Sequence, residues 1–557
     1  MRPVLSALLC LFAFCVAADD EPPRYGGELN VGTFVVTLSA LSWDPADWTW
    51  KSNHDFGAIR EQLLVGDLNK SVYRGGKYDF RAEAFLPEDA LKGELAESWV
   101  WETPLTLVIK LREGIMFTAR EGVMAAREMV ADDVVFSYDY VDQSPKRIPT
   151  YFDHIERVYA RDKYTVVFEM REYNAEWAYR FGYGYYSSIS PRETAAVDAK
   201  NWRNVVGSGP FTMRRYVQGN SHSYERNPNY WGKTRLAGEE YQLPFIQRLN
   251  YRIIKDEATY LTALRTGKLD LLESIRWIAV DHLKQSTPEL KWARWLGTSG
   301  NFMALRMDFE PFKDIRVRRA INLAVNQKEI VDKFYGGHAE LMAYPQHIGF
   351  GEYFQRLEEM PASVQELFEY KPEKARALMK EAGYEDGFTI TTQVCSCSPT
   401  NMDLIPLLER YLAEIGIRME IRPMEYASFL SLMTTNNHGP GYLMNSGHVN
   451  PLTTLRKSFM TGQTWNPALY TDPRYDEKIR LLHLERSEAR RIEMVREMTV
   501  EILDEAPYLW LPIQYLYTAW WPWVKNYGGE LRVGAQRPGP IYAQMWIDEE
   551  MKKEMGF

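Results

Sequence analysis

The chain has 557 residues, with 66 Lys and Arg against 75 Asp and Glu for a formal net charge of −9. At roughly 150 residues per domain this excludes a single small binding module, and 45% hydrophobic with 25% charged residues excludes whole-chain disorder. The acidic balance argues against a nucleic-acid partner, which needs clustered positive charge.

Residues 1–18, MRPVLSALLCLFAFCVAA, combine Arg2, an apolar run from Val4 to Val16, and Ala17 and Ala18 before Asp19. That is the pattern of a secretory signal peptide, with a run too short for a spanning helix. Cys10 follows Leu9 and Cys15 follows Phe14, whereas a lipoprotein signal wants a small residue there. The expectation is an exported protein without a lipid anchor. Two cysteines remain after cleavage, Cys395 and Cys397. Their spacing on an expected strand puts both on one face but closes an awkward ring, so two reduced thiols are the favoured state. A metal or redox pair lacks a second CxC or a His cluster.

A short strand is expected from Leu29. Residues 41–50, LSWDPADWTW, pack three Trp and two Asp around Pro45, too irregular for either regular period and suited to a site-bearing loop or a packed corner. LTLVIKL and YTVVFEM read as half-buried strands. In MVADDVVFSYDYV, Val130, Val134, Val135 and Tyr138 form a helical stripe, with Asp132 and Asp133 in the first turn. DEATYLTALRTGKLDLL predicts a helix with a stripe at Tyr260, Leu261 and Leu264, closed by Gly267 and leading into a strand. FTITTQVC, LIPLLERYLAEIG and IRMEIRPM predict strand, helix and strand, which implies a parallel pair with a crossover helix. The fold class is therefore α/β with more than one sheet. With 17 Trp, 34 Tyr and 24 Phe, many rings are expected to line something other than a core.

Enzyme signatures are missing. GSGPF at 207–211 lacks nucleophile-elbow spacing, no HExxH occurs, and Gly232-Lys233-Thr234 lacks the upstream glycine of a phosphate loop. Only His438 and His448 merit consideration for a site. The expectation is no enzyme, no catalytic residue, no metal centre and no cofactor.

The block VVGSGPFTMRRYVQGNSHSYERNPNYWG at 205–232 resembles the family 5 extracellular solute-binding proteins of ABC transporters, the dipeptide, oligopeptide and nickel-binding family. ADDVVFSYDYV, DEATYLTALRTGKLDLL, PFKDIRVRRAINLAVNQKEIV, YKPEKARALMKEAGYEDGF, LAEIGIRMEI and YTDPRYDEKI are similar to further blocks of that family, so the resemblance spans nearly the whole mature chain. It implies a two-lobed periplasmic-binding-protein-like fold (class II, cluster C) with three domains of mixed sheets flanked by helices. Domain I would comprise 19–58, 186–296 and 526–557, domain II 59–185, and domain III 297–525 with crossover strands. It implies a monomeric periplasmic receptor that captures a peptide-like small solute in an interdomain cleft and delivers it to a membrane permease and ATPase complex. An oligosaccharide or other neutral solute is the alternative, and nickel or a metallophore, supported by His448 and the CxC pair, is third.

Ligands of open α/β sheets meet loops at the carboxyl ends of strands. The segments that qualify are 43–50, 295–301, the loop after Cys397, and 442–451. The candidate ligand-binding residues are Trp43, Asp44, Trp295, Ser299, Asn301, Asn445, Ser446, His448, Asn450 and Trp465. In peptide-binding relatives the last segment looks like W-x-x-D-x-x-D-P, whose first Asp pairs with the ligand's amino group; here Met444 stands at the Trp and Gly447 at that Asp. Neutral Asn445, Ser446, His448 and Asn450 suit hydroxyls or amides, with Asp44 or Asp47 as replacement acids. Trp43, Trp48, Trp50, Trp295, Trp465 and Trp510 are candidate sugar platforms. Tyr230 and Trp231 read as a packed corner, Arg316, Arg318 and Arg319 as a solvated helix face, and the apolar 507–529 stretch, broken by Pro512 and Pro522, as buried strands and a crossover.

Overall fold

The computed structural model describes residues 21–33, 43–46, 50–82, 84–145, 151–297, 299–447 and 449–557. The expected signal peptide, Asp47, Trp48, His448 and the Trp50 side chain lie outside them.

Three sheets organise the chain into two lobes. The largest has eight strands: Phe211–Val217, Ser221–Arg226, Arg248–Ile253, Glu28–Thr33, Leu271–Arg276, Ile513–Trp520 and Lys291–Leu296 lie side by side in that order, and Ala339–Glu340 pairs with Ile513–Trp520 off that path. The first strand alternates as expected, with Leu29 and Val31 buried, and pairs in parallel with Arg248–Ile253 and Leu271–Arg276. Asp270, fully buried, accepts from the Asn30 backbone N–H at 2.8 Å, from Trp523 Nε1 at 2.9 Å and from Lys552 Nζ at 2.8 Å. One carboxylate thereby ties the first strand of the lobe to the C-terminal segment.

A four-stranded antiparallel sheet, Ala96–Thr103, Thr106–Leu111, Thr165–Met170 and Ile155–Asp162, shares a core with the first. The helix Ala131–Asp142 packs on it through Val134 and Tyr138, with the two expected acids in its first turn. The second lobe is built on five strands in the order Ile417–Met424, Phe388–Cys395, Gly441–Gly447, Ser299–Leu305 and Tyr508–Trp510, with a separate apolar cluster on each face. The expected parallel pair is present, joined through the helix Pro399–Ala413.

Two stretches pass between the lobes: Lys291–Leu296 continues into Ser299–Leu305, and Tyr508–Trp510 into Ile513–Trp520. They pair antiparallel in both sheets, and between them the Gly297 N–H donates to the Gln514 carbonyl at 2.9 Å and the Leu511 N–H to the Asn301 carbonyl at 3.2 Å. The apolar C-terminal stretch is thus a buried crossover, and among the described residues no helix is long and apolar enough to cross a membrane.

Two sequence expectations are corrected. Cys395 and Cys397 form a disulfide rather than two thiols; the strand ends at Cys395, and the turn after it brings the second sulfur back to the first. Arg318 is buried, not solvated, because its guanidinium donates to the Phe312 and Glu505 carbonyls at 2.9 Å each.

The glycines of the GSGPF block are required by close approach. A Cβ on Gly207 would stand 2.1 Å from the Ile59 carbonyl oxygen, and Gly209 donates its N–H to that same oxygen at 2.7 Å. Tyr230 and Trp231 form the expected corner by donating to the fully buried Glu61, at 3.1 and 3.0 Å. Burial, and then the neighbouring Glu94, push Glu61 up to about 8.

A methyl at Gly207 must displace backbone, so Gly207→Ala is expected to destabilise the protein by about 1–3 kcal/mol in denaturant melts. Glu61 holds a proton in the folded state that the unfolded chain releases near pH 4.5, so its contribution falls as pH rises from there through about 8. The neutral Glu61→Gln variant lacks this loss, and its Tm relative to the parent is expected to climb between pH 5 and pH 8.5.

Candidate functional site

The carboxyl ends of Phe388–Cys395, Ile417–Met424 and Gly441–Gly447 lie on one edge of the second lobe, where the crossing strands also enter. Ser299 stands opposite Gly447, Gly300 opposite Ser446 and Asn301 opposite Asn445. Asn401 donates to the Asn445 side-chain oxygen at 2.8 Å. The chain then starts the helix Pro451–Phe459, with Asn450 accepting from the Thr453 N–H at 2.8 Å and proline in its first turn.

Of the sequence-based candidates, Ser299, Asn301, Asn445, Ser446, Asn450 and Trp465 lie at this edge or on the helix and loop that follow it. Trp465 is 36% exposed. Three candidates sit elsewhere, in the packing of the first lobe. Trp43 is buried against Phe56 and Tyr216, with ring centroids 5.5 and 5.3 Å away. Asp44 accepts from the Ala46 N–H at 2.9 Å and from the Tyr140 hydroxyl at 3.3 Å. Trp295 is buried and donates to Thr518 Oγ1 at 3.2 Å. His448 lies outside the described residues.

The charged groups of the site are ones that sequence reasoning missed. Lys457, half-buried on the helix Pro451–Phe459, donates to Ser446 Oγ at 3.1 Å and to the Gly447 carbonyl, and its ammonium lies 5.8 Å from the Trp465 ring centre. Burial, and then the adjacent Arg456, bring it down to about 7. The first lobe contributes Glu176. Its carboxylate pairs with Arg180 at 2.6 Å, lies 3.3 Å from His483 Nε2, and accepts from the Thr453 hydroxyl. Burial alone would raise Glu176, but Arg180 and His483 outweigh it and hold the carboxyl well below the usual range. Thr453 and His483 belong to the second lobe, so this carboxylate joins the lobes across the gap, aided by the Ala175 N–H donating to the His483 carbonyl at 2.8 Å. The pattern PLTTLRKSF directly after the strand was the available signal.

Between Tyr179 and Tyr183 of the first lobe and Tyr353, Asn450 and Leu452 of the second lies a cavity of about 50 Å³. A larger cavity, about 230 Å³, is lined by Arg74, Lys92, Lys233 and Arg235. It lies wholly within the first lobe, where relative motion of the lobes would not alter it, so the interlobe edge is the better candidate for a solute that is to be enclosed.

The sequence profile of the bacterial extracellular solute-binding proteins, family 5 Middle, matches residues 90–464. The chain belongs to this family. Its members are solute-binding components of ABC importers, not enzymes. The chain is similar to Di/tripeptide-binding protein 2 of Pseudomonas aeruginosa, 26% identical over 542 residues covering 92% of this chain and 93% of the relative. Among solved structures it is similar to the periplasmic binding protein DppA from Helicobacter pylori in complex with the peptide STSA. There the TM-score is 0.76 at 22% identity, over 94% of this chain and 99% of the other. It is also similar to the binding protein MoaA from A. tumefaciens R10 in complex with mannopinic acid, with TM-score 0.73 at 20% identity over 94% and 99% of the two chains. These likenesses show the two-lobed fold of this family 5 protein.

Replacing Glu176 by Gln leaves the buried Arg180 without its carboxylate and weakens the joint to Thr453 and His483. A loss of about 3–5 kcal/mol in denaturant melts is expected, together with a larger radius of gyration by small-angle scattering as the lobes separate.

Proposed function

We propose that this protein is the periplasmic receptor of its ABC importer, that it captures a peptide-like small solute between its lobes, and that it passes the solute to the permease. The observation that carries this reading is the coincidence of three features at one edge: strand carboxyl ends, both crossing strands, and the polar groups of Asn445, Ser446 and Asn450 leading into the helix whose Thr453 meets the Glu176 carboxylate of the other lobe. Polar side chains and strand-end backbone suit amides, and enclosure by two lobes couples solute binding to closure. The similarity to a di/tripeptide-binding protein over 92% of the chain supports the peptide-like class.

The oligosaccharide alternative has lost most of its platforms among the described residues: Trp43, Trp295 and Trp510 are buried, leaving Trp465 at the edge. The nickel alternative relied on His448 and on two thiols that the structure joins in a disulfide.

A thermal-shift screen of the mature protein against di- to pentapeptides, maltotriose and nickel with small chelators tests the reading. A solute bound only by the folded state adds about 2.7 kcal/mol of stability at a hundred times its Kd. Peptides are expected to raise Tm; a shift with maltotriose alone would move the assignment to neutral sugars.

A further inference from the structure

At the end of the strand Gly441–Gly447 the structure offers an open space beside a cation. Apart from its two chain neighbours, no described atom lies within 4 Å of a Cβ built on Gly447, so the glycine leaves room where another residue would project. At the rim of that room stands the Lys457 ammonium. It has three protons to donate, and its two hydrogen-bonding partners, Ser446 Oγ and the Gly447 carbonyl, are both neutral. Among the described residues no carboxylate lies within ion-pairing distance of it, and the adjacent Arg456 carries the same sign. Glu176 of the facing lobe is already engaged by Arg180, His483 and Thr453. A half-buried charge held by neutral oxygens alone is costly, and an incoming anion offsets that cost. The Trp465 ring, 5.8 Å from the ammonium, is an apolar neighbour of the cation.

We propose that Lys457 is the specificity-determining cation of the interlobe site, receiving a carboxylate of the solute in the space beside Gly447. This deepens the receptor reading above and rests on it. A solute ammonium placed there would meet a like charge. The class of ligand is therefore a small acid: a peptide presenting its carboxyl end, or an acidic derivative of a sugar or amino acid.

The test uses probes that differ in one charge, titrated calorimetrically into the mature protein: trialanine, N-acetyl-trialanine, trialanine amide, and gluconate against glucose. A charge-assisted hydrogen bond contributes about 1.5–3 kcal/mol, so amidation is expected to weaken trialanine by about tenfold or more, while acetylation changes it by less than about threefold. Lys457→Gln is expected to abolish the preference for acid over amide, and Lys457→Arg to keep it. If no form of trialanine binds but gluconate does and glucose does not, the peptide-like class fails while the role of Lys457 stands. If no acid binds better than its neutral counterpart to the parent protein, the assignment is overturned whatever the variants do. It is equally overturned if Lys457→Gln folds, by circular dichroism, and retains the preference.

Discussion

Everything in this molecule hangs on the ribbon that crosses between the lobes. Its two stretches, 291–305 and 508–520, pair with each other in the eight-stranded sheet and again in the five-stranded one, so each lobe's sheet is completed by chain that has just left the other. Asn322, buried on the helix Ile315–Ala324, donates to the Tyr508 carbonyl at 3.0 Å and accepts from the Trp510 N–H at 3.1 Å, which anchors one side of the ribbon. Between the two sheets the ribbon narrows to short links beside Gly297 and at Leu511 and Pro512, where the Gly297 and Leu511 N–H groups still bond across to the other stretch. The edge proposed for the solute starts beside those links, at Ser299, so a change in lobe angle would act directly on it.

The charges of the gap are unevenly shared. The first lobe brings a carboxylate already matched to an arginine, and the second brings Arg456 and Lys457 on one helix. The Glu176 joint works as a contact between lobes because it is buried and its partners come from both sides; an exposed pair of the same residues would contribute little. Lys457 is the opposite case, a cation whose protein partners are neutral and whose solvation is reduced. The first arrangement holds the lobes together, and the second leaves attraction available for something that is not protein.

The family block at 205–232 acquires a purely structural reason. Gly207 and Gly209 let the chain press against the backbone at Ile59, and Tyr230 and Trp231 then reach Glu61 two residues further on. Glu94, beside it, is held by the buried Arg537 at 2.9 Å. The block is a set of close backbone approaches and side-chain hydrogen bonds that closes the first lobe.

The sequence by itself determined the elements and the family. Alternation and helical spacing located the strands at 106–111 and 165–170, the helix at 131–142 and the parallel pair around 399–413, because those patterns are set by which residues must face a core within a single element. It also pointed to the edge at 442–451. What it could not decide was which side chains meet there. Trp43 and Trp295 have the composition of ligand platforms, yet partners 170 or more residues away, Tyr216 for one and Thr518 for the other, absorb them into packing. The state of Cys395 and Cys397 turned on the path of one turn, and the burial of Arg318 on carbonyls at Glu505. Lys457 lies ten residues beyond Gly447, on the next helix, and only the turn of the chain at Asn450 brings its ammonium back to the strand end. Periodicity is a local property of the chain, whereas the sign of the charge in a cleft depends on long-range folding, and the tertiary structure alone decided it.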